Sequence, residues 1–436
     1  MKPLYFFCRT IFTYPIRLFF PRHLVLNNPK KAHNQTIYVS NHPASFMDPL
    51  IVPILTKPVY HFLGRADVFT KFTRPIFKNA QILPIYRQQD GVNTKEKNKE
   101  VFKASTQILL KGKNILIFGE GFTDDVFIRR VKPIKKGAVR IAFSTLETCN
   151  WKKKISIKII GINYTSPKVF SSDLLVSFSK SIVVNDYKEQ YEKNPVKTIN
   201  ELNEKIELEL KNQITHLENP NDSLLHENIM RISGIGMNET YFKSTLSLEK
   251  RWRNSQTIAN NLNKIDDQTK NKLKLRLEHY FKNFDLNNIP EKLAYNDEKK
   301  SLAIVKKTLL LIVFSPIFLL GMIHCYLPYL PLRYWIQKQF KRPVFWSSVK
   351  LLLNAVLVGI INIPVIYLMN IYIIENCWIS IVYYLSLGLI GSISYLWMKR
   401  FKETIKFLKF NPKKNAHIVE ERYEIINDLK KINLID

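Results

Sequence analysis

Cysteine is scarce in this sequence, and the few thiols are scattered. Among 436 residues there are four cysteines, at positions 8, 149, 325 and 377, with no CxxC pair between them. Histidines do not cluster either. These absences argue against a disulfide framework and against a zinc site, so we expect reduced thiols and no bound metal.

Acidic residues are also few relative to basic ones. The chain has 36 Asp and Glu against 66 Lys and Arg, a formal net charge of +30. Such an excess favours an anionic partner, which can be a membrane surface, a nucleic acid or a phosphorylated substrate. Charge alone does not choose among these three.

Three uncharged apolar stretches near the end of the chain make the choice. Thr308–Leu332, Leu351–Ile374 and Asn376–Met398 contain no Lys, Arg, Asp or Glu. Each exceeds the roughly 20 residues that a helix needs to cross a bilayer. A nucleic-acid-binding protein has no use for such segments, so we expect membrane lipids as partners and no nucleic acid.

The pattern along the chain divides it into five parts. Residues 1–35 mix aromatic and aliphatic residues with arginines, as in an amphipathic helix that lies in lipid headgroups, although a helix packed on a domain fits as well. Residues 36–194 alternate short β-rich runs with helical stretches, which predicts an α/β domain. A polar helical spacer (195–301), hydrophobic membrane helices (302–400) and a basic cytoplasmic tail (401–436) follow.

Within the α/β part, the predicted strands are 36–40, 59–64, 114–119, 155–164 and 174–179, and a helix is predicted over 93–112.

Charges between the apolar stretches predict an orientation in the membrane. The segment Arg333–Lys350 and the tail from Lys399 are basic, whereas the link between the last two stretches offers only Glu375. By the positive-inside rule the link should face away from the cytoplasm. Prolines in the first stretch allow it either to span or to re-enter, and a cytoplasmic catalytic domain requires that it enter and leave on one face.

The strongest local signal is SNHPASFMDPL, Ser40–Leu50, where a predicted strand ends in a polar turn with His42 and Asp48. Neutral imidazole suits the removal of a proton from a hydroxyl, and a carboxylate on its other ring nitrogen fixes the tautomer. The same residues also fit a simple helix cap from Ser45 to Asp48. Taken alone, the motif leaves both interpretations open.

This motif resembles the first motif of the phospholipid and glycerol acyltransferase family, in which the histidine and the aspartate form the catalytic pair. Five residues, 43–47, separate the two here. That is one more than is usual, and it is similar to the subgroup that acylates glycerol-3-phosphate or dihydroxyacetone phosphate. The resemblance implies that His42 is the base and that Asp48 orients it.

Two further motifs follow in the family's order. Arg87 ends the strand-like run ILPIYR, where the family has an arginine that contacts the acceptor's phosphate, and Arg65 in LGRADVF is a second candidate. IFGEGFTDD resembles the family's F-P-E-G segment, with Gly119 in place of proline. The resemblance implies that Glu120 and Gly121 shape the acceptor pocket.

A basic stretch, VKPIKKGAVR, comes directly after the third motif. Its Lys135 and Lys136, with Lys132 and Arg140, form a patch that suits either the phosphates of acyl-CoA or the acidic surface of an acyl carrier protein. A solvated helix start fits the same residues. The expected donor is one of these thioesters, with no cofactor.

The resemblance covers residues 36–179 and implies an α/β fold, an acyltransferase-type mixed sheet flanked by helices. To this fold the chain adds an N-terminal amphipathic helix and C-terminal membrane helices. The predicted function is transfer of a fatty acyl group to glycerol-3-phosphate or a related glycerol phosphate in phospholipid biosynthesis. Two alternatives remain: a 1-acylglycerol-3-phosphate (lysophospholipid) acyltransferase, and a non-catalytic scaffold that binds anionic lipid.

Overall fold

A computed structural model describes residues 3–29, 35–86, 94–239, 244–295 and 299–435. The chain forms two compact units. Unit 1 comprises Met1–Ile16, Arg22–Pro167 and Leu174–Glu218, and unit 2 comprises Arg17–Pro21, Lys168–Asp173 and Asn219–Asp436.

The centre of unit 1 is a sheet whose strands, among the described residues, follow the order β1-β7-β6-β2-β5-β3-β4, with β8 beside β6. Strand β2 pairs in parallel with β5 and β6, and β3 pairs in parallel with β4 and β5, whereas β7 and β8 run antiparallel to β6. The strands are β1 Arg22–Leu26, β2 Thr36–Ser40, β3 Tyr60–Arg65, β4 Ile82–Ile85, β5 Asn114–Phe118, β6 Ser156–Tyr164, β7 Asp173–Phe178 and β8 Ile182–Val183.

The predicted mixed sheet is therefore confirmed. All five predicted strands form, each with ends within one residue of those expected. The predicted helix over 93–112 forms as Thr94–Leu110. Strands β1 and β8 were not predicted, because β8 has only two residues and β1 is only partly buried, so neither shows a clear apolar alternation.

Helices cover the sheet and share its core. Those that follow the first strand are α2 Asp48–Leu55, α3 Thr73–Asn79, α4 Thr94–Leu110, α5 Gly137–Thr148, α6 Lys188–Lys193 and α7 Pro195–Gln213. The core joins strand residues such as Ile37 and Ile157 to Phe143 of α5. Leu202 and Ile206 of α7 belong to it as well. Helix α7 starts at residue 195, where the polar spacer was expected, yet it lies within unit 1.

The first helix, α1 Pro3–Phe19, has an inner and an outer face. On the inner face the Tyr5 hydroxyl accepts a hydrogen bond from the Tyr60 backbone N–H (3.4 Å), and Arg9 donates to the Thr56 carbonyl (2.9 Å). On the outer face Phe7 is 61% exposed. The helix thus packs on the domain with its inner face. Its outer face is exposed, and the predicted association with lipid headgroups stays a prediction for that face.

Unit 2 is helical in its described part. Its polar helices are α8 Ser223–Ser233, α9 Leu248–Leu262, α10 Asp267–Leu286, α11 Glu291–Tyr295 and α16 Pro412–Lys431, and its apolar helices are α12 Lys300–Gly321, α13 Leu327–Gln339, α14 Trp346–Met369 and α15 Cys377–Lys409. The apolar helices form three runs long and apolar enough to cross a membrane, Lys300–Gln339, Pro343–Ile374 and Cys377–Lys409.

Prolines do not break the first apolar run. A π-helical segment, Met322–Tyr326, joins α12 to α13 without an intervening loop. Pro316 cannot donate to the carbonyl of Ile312, but the Ser315 hydroxyl does so at 2.8 Å. Pro328 likewise leaves the carbonyl of His324 without its helical donor, and the Asn362 side chain supplies one at 2.9 Å. These side chains thus donate to carbonyls that the two prolines leave without a helical donor.

Candidate active site

The predicted site residues gather at one edge of the sheet. Strands β2, β5 and β3 are parallel neighbours, and the register sets Ser40 opposite Phe118. The segments that follow these strands, which carry His42 and Glu120, therefore leave from the same edge. Arg65 ends β3 at this edge too. Carboxyl ends of parallel strands are where open α/β sheets usually bind ligands.

His42 and Asp48 are in direct contact. The imidazole Nδ1 lies 2.8 Å from Asp48 Oδ2, and the histidine side chain keeps 20% exposure whereas the aspartate is fully buried. The ring also stacks on Phe118 with centroids 4.4 Å apart. Because Nδ1 meets the carboxylate, Nε2 is the nitrogen left for a substrate hydroxyl.

Asp48 lies at the start of α2, but it does not serve the helix cap that its sequence allowed. Its Oδ2 accepts a second hydrogen bond from the Ala44 N–H at 2.9 Å, and no side chain caps α2 or the short turn before it. The carboxylate instead closes the Ser40–Leu50 turn around the imidazole. Of the two interpretations of this motif, the base and its orienting carboxylate fit the geometry.

Tyr164 is a third member of this group that the sequence did not reveal. Its hydroxyl donates to Asp48 Oδ1 at 2.7 Å from the end of β6, 116 residues away in the chain. Burial and the Asp48 carboxylate raise the pKa of Tyr164 well above its usual range, so the hydroxyl stays protonated as a donor. A buried carboxylate needs such donors, because desolvation otherwise disfavours its charge.

We expect Tyr164→Phe to lower kcat by about tenfold, since one donor to the buried carboxylate is lost and the orientation of His42 loosens. KM should change little, because the hydroxyl faces Asp48 and not the substrate edge. Steady-state thiol release from a thioester measures both. Tyr38→Phe is the matched control, since Tyr38 is also a buried sheet tyrosine. A Tyr164→Phe enzyme with unchanged kcat would contradict this role.

Glu120 supports the same turn from β5. Its Oε2 accepts from the His42 backbone N–H at 3.3 Å, and Oε1 accepts from the Lys132 N–H at 3.4 Å. The Lys132 ammonium lies 3.0 Å from Oε2. Burial raises the pKa of Glu120, and the Lys132 charge opposes that rise. The carboxylate therefore braces the backbone at His42.

The basic patch expected after the third motif is smaller than predicted. Lys132 is 4% exposed and paired with Glu120, so it is not available for donor phosphates. A buried carboxylate is costly unless it is paired, and the Lys132 ammonium pairs with Glu120. Lys135 and Lys136 are exposed at the start of α5. Gly121, next to Lys135, has φ +76°, a conformation that favours glycine.

Of the two arginines expected to bind phosphate, one lies among the described residues. Arg87 lies outside the described residues. Arg65 is partly exposed and forms a bidentate pair with Asp67, two residues further along the chain. The register aligns Arg65 with Ile85, so β3 and β4 end at the same sheet edge.

These residues together can carry out acyl transfer to an alcohol. The imidazole of His42 is partly exposed at the sheet edge, and its Nδ1 is held by the buried carboxylate of Asp48. This is the arrangement of a general base. Tyr164 was missed because it is distant in the sequence, and Lys132 was expected in a patch for the acyl donor. The β2–β6 register and the fold after β5 bring the two residues to Asp48 and Glu120.

Comparison with known proteins gave a family match and a similar solved structure. Residues 23–165 match the family model described as Acyltransferase. Among solved structures, the chain is similar to the 1-acyl-sn-glycerophosphate (LPA) acyltransferase PlsC from Thermotoga maritima, with 16% identity, coverage of 47% of this chain and 79% of that chain, and a TM-score of 0.33. No curated protein matches the chain. The chain thus carries an acyltransferase domain at residues 23–165.

Proposed function

We propose that this enzyme moves a fatty acyl group from an acyl-CoA or acyl carrier protein thioester to the hydroxyl of glycerol-3-phosphate or a related glycerol phosphate. The observation that carries the proposal is the 2.8 Å contact between His42 Nδ1 and the fully buried Asp48 carboxylate. It supports a base for a weakly acidic hydroxyl, and the spacing of the two residues favours a water-soluble acceptor.

In this mechanism His42 Nε2 takes the proton of the acceptor hydroxyl while its oxygen attacks the thioester carbonyl. Asp48 stabilises the imidazolium that forms. The tetrahedral intermediate then collapses, the C–S bond breaks, and the imidazolium returns its proton to the departing thiolate. The products are the ester and the free thiol, and the base is regenerated.

Substrate binding uses the residues around this pair. Arg87, with Arg65 as the second candidate, holds the acceptor phosphate, since a guanidinium can bind two phosphate oxygens at once. Lys135 and Lys136, both exposed beside Gly121, receive the phosphates of acyl-CoA or an acidic carrier surface. Gly121 and Glu120 shape the acceptor pocket, with Glu120 acting through the His42 backbone.

A panel of acceptors tests the proposal. Purified full-length enzyme in detergent–lipid micelles is given radiolabelled palmitoyl-CoA or palmitoyl carrier protein with glycerol-3-phosphate, dihydroxyacetone phosphate or 1-acylglycerol-3-phosphate. We expect thiol release and labelled ester with one of the first two. Product from 1-acylglycerol-3-phosphate alone would move the acceptor to the lysophospholipid class. Binding of anionic vesicles with no thioester consumption would overturn the proposal.

We also propose an arrangement in the membrane. The start of α12 lies beside the end of α15: Lys307 pairs with Glu403 at 2.8 Å, and Lys300 donates to the Phe410 carbonyl. Both ends then lie on one membrane face, so the chain between them crosses an even number of times. Since α14 and α15 follow each other closely, we assign the crossings to them. We propose that the run Lys300–Gln339 bends back to its starting face at its π-helical segment, Met322–Tyr326.

From the basic residues, by the positive-inside rule, we propose that this face is cytoplasmic and that catalysis occurs on the same side. Cys377, exposed at the start of α15 directly after the link from α14, should therefore react with an impermeant maleimide added outside intact cells. A cysteine placed at exposed Lys413 of α16 should react only after permeabilisation. Gel shift reports both reactions. The reverse pattern would contradict this orientation.

A further inference from the structure

Helix α3 and the residue before it expose apolar side chains next to the catalytic edge. Phe72, which immediately precedes α3, is 83% exposed, and Ile76, one helical turn later, is 46% exposed. Phe72 and Ile76 point to the same side of the helix because they are four residues apart. A phenylalanine so exposed in water keeps nearly all of its apolar area hydrated.

A second exposed apolar segment follows the neighbouring strand. Phe122 and Val126, in the loop after β5, are 51% and 66% exposed. The Lys132 ammonium lies 4.6 Å from the Phe122 ring centre, a cation–π contact that orients the ring. Because β3 and β5 are paired in parallel, the chain leaves both strands at the same edge, and that edge is where His42 lies.

Positive charge accompanies these side chains. Lys71 and Arg74 are exposed on either side of Phe72, so this part of the surface combines aromatic and aliphatic residues with cations. The segment that carries Phe122 and Val126 also holds two acidic residues: Asp124 is paired with Arg130 at 3.0 Å, and Asp125 is exposed. Neighbouring apolar and cationic side chains on one surface match an anionic bilayer, whose headgroups meet the cations and whose acyl chains accept the apolar groups. An apolar area of this kind, exposed to water without a partner, marks an interaction surface.

We propose that residues 71–76 and 122–126, called here the contact rim, seat the carboxyl edge of the sheet on an anionic lipid bilayer. The three apolar runs already hold the chain at a membrane. The contact rim adds a second, peripheral contact that turns the catalytic edge toward the lipid. An acyl chain then passes between the site and the bilayer without crossing open water.

Depth-dependent quenching tests the contact rim in the intact chain. A fluorescent amino acid is incorporated by codon suppression at position 72, 126 or 113, and the full-length protein is reconstituted in phosphatidylcholine–phosphatidylglycerol vesicles. Lys113 is the matched control, because it is exposed and directly precedes β5, at the opposite end of the strand that leads to Val126. Spectra are recorded with doxyl-labelled lipids and with aqueous iodide.

We expect doxyl lipids to quench positions 72 and 126 at least about twofold more than position 113, with the reverse order for iodide. Removal of phosphatidylglycerol, or Lys71→Ser with Arg74→Ser, should weaken the lipid quenching. Quenching of 72 and 126 by iodide alone would overturn the proposal, as would shielding from both quenchers, which indicates a protein contact. Lipid quenching that ignores phosphatidylglycerol would overturn the choice of an anionic surface. None of these readouts depends on acyl transfer.

Discussion

Replacement of His42 by alanine is expected to lower kcat for acyl transfer by about 10²- to 10⁴-fold, the usual contribution of a positioned general base. Without the imidazole, no other group in the Ser40–Leu50 turn can accept the hydroxyl proton, because the Asp48 carboxylate is buried and still holds the Ala44 N–H and the Tyr164 hydroxyl. Thiol release from palmitoyl-CoA measures the loss.

Folding of this variant should be intact, since the His42 side chain lies at a partly exposed turn and only its backbone N–H contacts Glu120. His61→Ala is the control: His61 is a half-buried histidine in β3 that contacts the Asn114 carbonyl and lies away from the carboxyl edge. It should retain most activity. Retained turnover in His42→Ala, with the thermal midpoint unchanged, would remove His42 from the mechanism.

The sheet was largely predictable because its central strands are buried on both faces. Runs such as 36–40 and 155–164 are short and apolar, and buried parallel strands have this pattern. Helix α7 was less predictable, because its polar face dominates the composition while only a narrow apolar stripe, including Leu202 and Ile206, enters the core. Average polarity therefore suggested a spacer where the structure has a domain helix.

The contacts of the site also differ in how far the sequence predicts them. His42 and Asp48 are six positions apart and share one turn, so the sequence could predict their contact. Tyr164 meets Asp48 only because β6 pairs with β2 in a register that no local pattern encodes. Lys132 appeared to be one of several lysines in a basic stretch, and only its burial shows that its charge serves Glu120. Contacts set by strand pairing and burial are those that local spacing does not encode.

The second large effect is expected at Lys132, where a buried charge would lose its partner. Lys132→Met should reduce the free energy of unfolding by about 3–5 kcal/mol, the usual cost of leaving one member of a buried ion pair unpaired. Burial already raises the pKa of Glu120 with the lysine present, and removal of the lysine raises it further. Thermal unfolding in detergent, followed by tryptophan fluorescence, measures the change.

The pH dependence of this variant has a definite sign. Where the folded-state pKa of a carboxyl is raised, the protonated group favours the fold below its unfolded pKa, and that stability is lost as pH rises through the folded pKa. Lys132→Met should therefore be most destabilised at neutral pH and approach the wild type in acid. The matched double variant Lys132→Met/Glu120→Gln removes the titrating group and should be more stable at pH 7 than Lys132→Met alone. If the double variant were the less stable of the two, Glu120 would not be a charge that Lys132 compensates, and the bracing of the His42 turn would need another explanation.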